Sequence, residues 1–139
     1  LNTSEDAITA ECKYDGIIHR RLVRFFKPNF VFVLDRVDGP PGEHEVEQFW
    51  HLASADARNR VFLGSPAEER EAWHSPVFGT KQLSPSLVVR RVTTLPAHFA
   101  AALILDATGT FTIREQSTCA VFGWSDGQNE RIFHFAWPK

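Results

Sequence analysis

Phe30-Val31-Phe32-Val33-Leu34, closed by Asp35, decides the fold. The run is apolar at both parities, so it reads as a strand buried on both faces. Pro28-Asn29 before it and Gly39-Pro40-Pro41-Gly42 after it are turn signals. Upstream, Ile17 to Phe26 is apolar and basic by turns, as a further strand is. Downstream, Val46, Trp50 and Leu52 share one parity while Glu45, Glu47 and His51 share the other. That is the alternation of a strand with one wet face. Short turns between these segments predict an antiparallel meander, with Phe30, Phe32, Leu34 and Trp50 buried.

Further strands are predicted over Arg60–Leu63, Leu87–Leu95, Phe99–Leu105, Thr110–Arg114, Thr118–Trp124 and Arg131–Trp137, the last with Phe133, Phe135 and Trp137 on one face. Ser65-Pro66-Ala67-Glu68 has the spacing of a helix capping box, but no apolar periodicity follows. It predicts at most one helical turn inside a loop from Gly64 to Pro85. Many short strands and almost no helix predict an all-β chain, an antiparallel β-sandwich forming a single domain over residues 1–139.

Composition agrees. The 139 residues are 43% apolar and 23% charged, enough for a core without staples. The 12 Phe and 4 Trp favour pleated, half-buried surfaces. A net charge of -2 without a basic block points away from nucleic acid, and no apolar run is long enough for a membrane helix. Cys12 and Cys119 fit no zinc motif; they could pair or stay reduced, and small apolar residues is the simpler reading. Leu1 in place of an initiating Met suggests a piece of a longer chain.

Three pieces carry a resemblance. The first is Tyr14-Asp15-Gly16 with His19-Arg20-Arg21-Leu22-Val23. The second is Phe30 to Asp35 with Gly42-Glu43-His44 and Phe49-Trp50-His51-Leu52. The third runs from Trp73-His74-Ser75-Pro76 to Phe78-Gly79-Thr80-Lys81, with Pro85 and Leu95-Pro96 beyond. In this order, over residues 12 to 105, they resemble the C-terminal β-region of the heparinase II/III-like polysaccharide lyases. The resemblance implies antiparallel sheets that follow an N-terminal (α/α) toroid, in an enzyme that cleaves uronic-acid polysaccharides by β-elimination. It also implies a bacterial protein, periplasmic or secreted; a cytoplasmic one stays open. The toroid, which supplies the family's catalytic Tyr, has no counterpart here. Nor do its Gly-His-Ala-Asp-like and Ala-His-Asn-like motifs. The expected role is therefore a non-catalytic region that supports the missing toroid, with an acidic polysaccharide as the partner of the whole enzyme. The alternative is a free-standing carbohydrate-binding or structural β-sandwich module.

Elimination needs a base, an acid and charge stabilisation at the carboxylate. Tyr14 sits beside a turn and reads as a packed aromatic, and no His has an evident orienting partner in the sequence. No catalytic residue, cofactor or metal ligand is expected; His19, His44 and His51 lack a tight ligand spacing. On a strand, His19 and Arg21 share a face that Arg20 does not. They either offer cations to an acidic saccharide or pair with Asp35, Glu45 or Glu47. His51 lies on the wet parity as a neighbour of a site or a solvated side chain. Trp73, His74 and Ser75 lie in the long loop, where an aromatic face with polar neighbours suits a sugar ring or pins the loop. The substrate-binding candidates are thus Trp73, His74, Ser75, His19, Arg21 and His51. If a toroid normally covers one face, the chain alone should expose an apolar patch and self-associate through it.

Overall fold

The computed structural model describes residues 4–139. It is all-β and antiparallel: among the described residues the one helical element is a six-residue 3-10 turn over Ala55–Arg60. The strands are β1 (Glu5–Tyr14), β2 (Ile17–Phe26), β3 (Phe30–Asp38), β4 (Glu43–His51), β5 (Val61–Leu63), β6 (Glu68–His74), β7 (Gln82–Thr94), β8 (Ala97–Ile104), β9 (Thr110–Glu115), β10 (Cys119–Ser125) and β11 (Glu130–Ala136). They form a five-stranded sheet in the order β1-β2-β3-β8-β5 and two three-stranded sheets, β11-β10-β9 and β4-β7-β6.

The five-stranded sheet is the middle of three layers, which explains the central run. The even residues Phe30, Phe32 and Leu34 of β3 and Ala100, Ala102 and Ile104 of β8 pack on Phe111, Phe122, Trp124, Phe135 and Trp137. The odd face packs on the other small sheet: Val37, Ala97 and Phe99 meet Val89, with Val46 beside them. Ala100 and Ala102 of β8 leave room on the even face, and aromatic rings fill it. Phe32 is fully buried and meets Phe122 edge-on at 4.8 Å.

Several expectations need correction. β4 leaves the predicted meander and pairs with β7, not β3. The Gly39-Pro40-Pro41-Gly42 segment carries the chain across to the second sheet, and Gly39 passes where a Cβ would lie 2.6 Å from Ile17 and 2.7 Å from Leu95. The predicted loop from Gly64 to Pro85 contains β6, paired antiparallel with β7. The capping-box sequence makes no helical turn; Glu68 opens β6 instead. The polar N-terminal stretch forms β1, joined to β2 by a tight turn in which Asp15 (φ 46°) and Gly16 (φ 77°) are both left-handed. Trp50 is half-buried, not buried. Cys12 and Cys119 are both free, and Cys12 is exposed.

Candidate functional site

β1 and β2 extend past the edge of the β4-β7-β6 sheet, and a cleft of about 390 Å³ opens between their uncovered face and β4. Its lining includes Tyr14, His19, Arg21, Asp35, Gln48 and Phe49. The strand register brings these together. Arg21 stands opposite Asp35, and Cys12 opposite His19, so His19, Arg21 and Asp35 project from one face. Gln48 comes down onto them from β4.

Asp35 is 1% exposed and accepts four hydrogen bonds. Arg21 donates from Nε at 2.7 Å and from Nη2 at 2.8 Å, a bidentate fork. His19 Nε2 donates at 2.8 Å and Gln48 Nε2 at 2.7 Å. Burial pushes the Asp35 carboxyl up, but the bonds and charge of Arg21, with the bonds of His19 and Gln48, outweigh it and hold the group below its ordinary value. The same carboxylate raises Arg21 above the usual guanidinium value, by hydrogen bonding first, against the desolvation that lowers it. Asp35 thus has its lone pairs committed and cannot serve as a base. Arg21 and His19 remain partly open to the cleft, with side chains 40% and 34% exposed.

His19 therefore has an orienting partner after all, Asp35, sixteen residues downstream. Of the two readings of His19 and Arg21, pairing with Asp35 is what the structure contains. Arg20, on the opposite face, pairs with Glu11 and Asp38. Glu45 and Glu47 pair instead with Arg90 and Arg70. His51 lies outside the cleft lining and stacks on Phe49 at 6.1 Å.

Trp73, His74 and Ser75 are elsewhere, at the end of β6 on the hairpin with β7. Trp73 is exposed and does not pin a loop. Lys81 Nζ sits 4.1 Å from its ring centroid, so one face of the indole carries an ammonium. Ser75 Oγ lies 3.1 Å and 2.7 Å from the carbonyl oxygens of Val77 and Thr80, holding the hairpin tip rather than facing a ligand. Among the described residues, no three His, Cys, Asp or Glu side chains converge as metal ligands would. Sequence reasoning missed Gln48 and Phe49 in the cleft. The available signal was the polar Gln48 on the apolar parity of β4, where a buried partner is required.

No family model and no curated protein matches this chain. Solved structures do. Heparan sulfate lyase HepC from Pedobacter heparinus superposes with a TM-score of 0.71 at 15% identity, over 100% of this chain and 27% of that one. A crystal structure of heparinase III gives 0.65 at 11% identity, over 98% and 27%. A further heparinase III gene product gives 0.61 at 11% identity, over 94% and 25%. This chain folds like one part of a heparinase III. It spans about a quarter of the length of those structures.

Proposed function

We propose that this chain is the C-terminal β-sheet region of a heparinase II/III-like polysaccharide lyase, a single domain that supports a helical toroid and borders the cleft for a uronate-containing polysaccharide without performing the chemistry. One observation carries the reading: the whole chain superposes on about a quarter of a heparan sulfate lyase, and this chain's His19, Arg21 and Asp35, which lie in the stretches that carry the sequence resemblance, form one network in the cleft beside β4. The parent enzyme in this reading is bacterial, periplasmic or secreted.

The chemistry of the cleft supports binding over catalysis. Arg21 spends Nε and Nη2 on Asp35 and keeps Nη1 for a carboxylate or sulfate. Tyr14 and Phe49, exposed on opposite sides, offer ring faces to a sugar. His19, held by Asp35 through Nε2, leaves Nδ1 as the one candidate base of the cleft. The catalytic Tyr and the further motifs that the resembled lyases use have no counterpart in this sequence, so proton abstraction beside a carboxylate lacks its full set of groups. Trp73, with Lys81 over its ring, is a secondary contact on the hairpin.

The test is to incubate the purified chain with heparan sulfate, hyaluronan, chondroitin and alginate. Binding is followed by calorimetry, and elimination by the ultraviolet absorbance of the unsaturated product. We expect weak binding of the acidic polymers, reduced by Arg21→Ala more than by Trp73→Ala, and no product. Steady product formation that disappears in His19→Ala or Tyr14→Phe would overturn the non-catalytic reading. Binding lost with Trp73→Ala and indifferent to Arg21→Ala would favour an independent carbohydrate-binding module.

A further inference from the structure

β1 ends the central sheet. Its ten residues are all exposed, and its one hydrogen-bonded neighbour among the described residues is β2. A long free edge of this kind is a template for another strand. We propose that a second copy of this chain supplies it: β1 pairs antiparallel with β1 of the partner about a two-fold axis through Thr9, joining two five-stranded sheets into one of ten strands.

The charges select the register. Asp6, Ile8, Ala10, Cys12 and Tyr14 lie on the cleft side of β1, because Ala10 and Cys12 stand opposite Arg21 and His19. Glu5, Ala7, Thr9, Glu11 and Lys13 lie on the other side. A two-fold axis normal to the sheet keeps like sides together, so it must pass through a residue and pair odd with odd. Centred on Thr9, Glu5 meets the partner's Lys13, and the symmetry makes this pair twice. Thr9 meets the partner's Thr9, Ile8 meets the partner's Ala10, and no like charges face each other. Centred on Ile8, Glu5 faces the partner's Glu11, a repulsion repeated by symmetry. Centred on Ala10, no opposite charges meet. Registers further from the middle sacrifice ladder length. Within its own chain Glu5 already pairs with Arg24 and Lys13 with Glu11. The intermolecular pairs therefore link existing ion pairs into a network.

Among the central registers, which keep the longest ladder, the charges on β1 oppose the one centred on Ile8 and favour the one centred on Thr9, and the two-fold pairing makes a closed dimer and not a fibre. In the lyase reading the segment that precedes this chain is the competing occupant of the same edge, so failure of the dimer overturns this proposal and leaves that reading intact.

Analytical ultracentrifugation of the full chain over a concentration series tests it. We expect a monomer–dimer equilibrium. Glu5→Lys alone and Lys13→Glu alone should each weaken the dimer by about tenfold or more. The double variant Glu5→Lys/Lys13→Glu should recover part of the loss, since it restores the intermolecular pair while giving up the intrachain pairs with Arg24 and Glu11. Both positions are on an exposed edge strand, and an unchanged far-UV spectrum confirms that the variants fold. Thr9→Cys in a Cys12→Ser/Cys119→Ser background should give a disulfide-linked dimer on mild oxidation, because this register brings that position against itself. A strictly monomeric chain at every concentration overturns the proposal. So does a dimer that ignores both charge reversals, or one that the double variant fails to rescue.

Discussion

Asp35 concentrates the residue-scale logic of the molecule. It is a carboxylate at the end of an apolar run, taken almost wholly out of water, and it stays charged because Arg21, His19 and Gln48 satisfy it. Asp35→Asn would keep the shape and leave Arg21 without its counter-charge. We expect a loss of about 2–4 kcal/mol in urea unfolding, reduced from the fully buried case because Arg21 is partly solvated. The pH dependence has a definite sign. The folded carboxyl lies below its ordinary 3.8, so the native state holds its proton less tightly than the unfolded chain does. Its contribution is present above that value and is lost as pH falls through the folded one. Denaturation midpoints should drop below about pH 4, and the Asn variant should show a shallower acid limb. An identical limb in both proteins would remove Asp35 from the account. Parity in the sequence was enough to place His19 and Arg21 together, since a strand has only two faces. It gave no means of choosing Asp35 over Glu45 or Glu47 as partner, because that choice is made by strand pairing sixteen residues away. Gln48 was legible only in part for a related reason: an amide at an apolar position signals a buried partner, but only the fold names the carboxylate that provides it.

At the scale of elements, Glu115 ties the three layers at one corner. From β9 it pairs with Arg91 of β7, and its Oε1 accepts the backbone N–H of Ala100 in β8 at 2.8 Å. Arg91 also lies over Phe99 at 4.5 Å. The carboxylate satisfies an amide beyond the end of the short β5, where the ladder stops. Gly64 leaves room for it: a Cβ there would lie 2.4 Å from Glu115 Oε1. Gly64→Ala should therefore cost about 1–3 kcal/mol, as overpacking against a pinned group does. The cost should shrink in a Glu115→Ala background. Additive losses in that double-mutant cycle would show that the contact is not the cause. The same scale explains which strands the sequence disclosed. β3, β8 and β10 announce themselves by apolar pattern. β6 reads Glu-Glu-Arg-Glu-Ala-Trp-His, with no apolar alternation, and is a strand because β7 offers it a partner. β4 was legible as a strand but not as a member of the second sheet, since neighbours in sequence usually pair and the turn that breaks the rule says nothing of where it leads.

At the scale of the molecule, the two cores lie on opposite faces of the same sheet, and that sheet decides how the chain unfolds. Phe32 on one face and Phe99 on the other come from adjacent strands, β3 and β8, that share one ladder. Neither small sheet can bury its apolar side without the middle one, and the middle one cannot leave either face wet. Loss of one core exposes the back of the ladder that orders the other. The expected behaviour is a single two-state transition, not the sequential melting of two sandwiches. Natural reporters exist: Trp124 and Trp137 belong to the first core, while Trp50 packs against the cluster of Leu52, Val61 and Leu87 on the other side. Trp50→Phe confines the first core's signal to two buried indoles and the exposed Trp73. Trp124→Phe/Trp137→Phe leaves Trp50 to report the second. In urea, both sets and the far-UV signal should share one midpoint after correction for each variant's stability. Phe32→Ala should lower that midpoint by the equivalent of about 3–5 kcal/mol in both reporters alike, although Phe32 touches only the first core. If Phe32→Ala shifts the Trp124 and Trp137 transition while the Trp50 transition stays in place, the layers fold independently and the residues behave as two units.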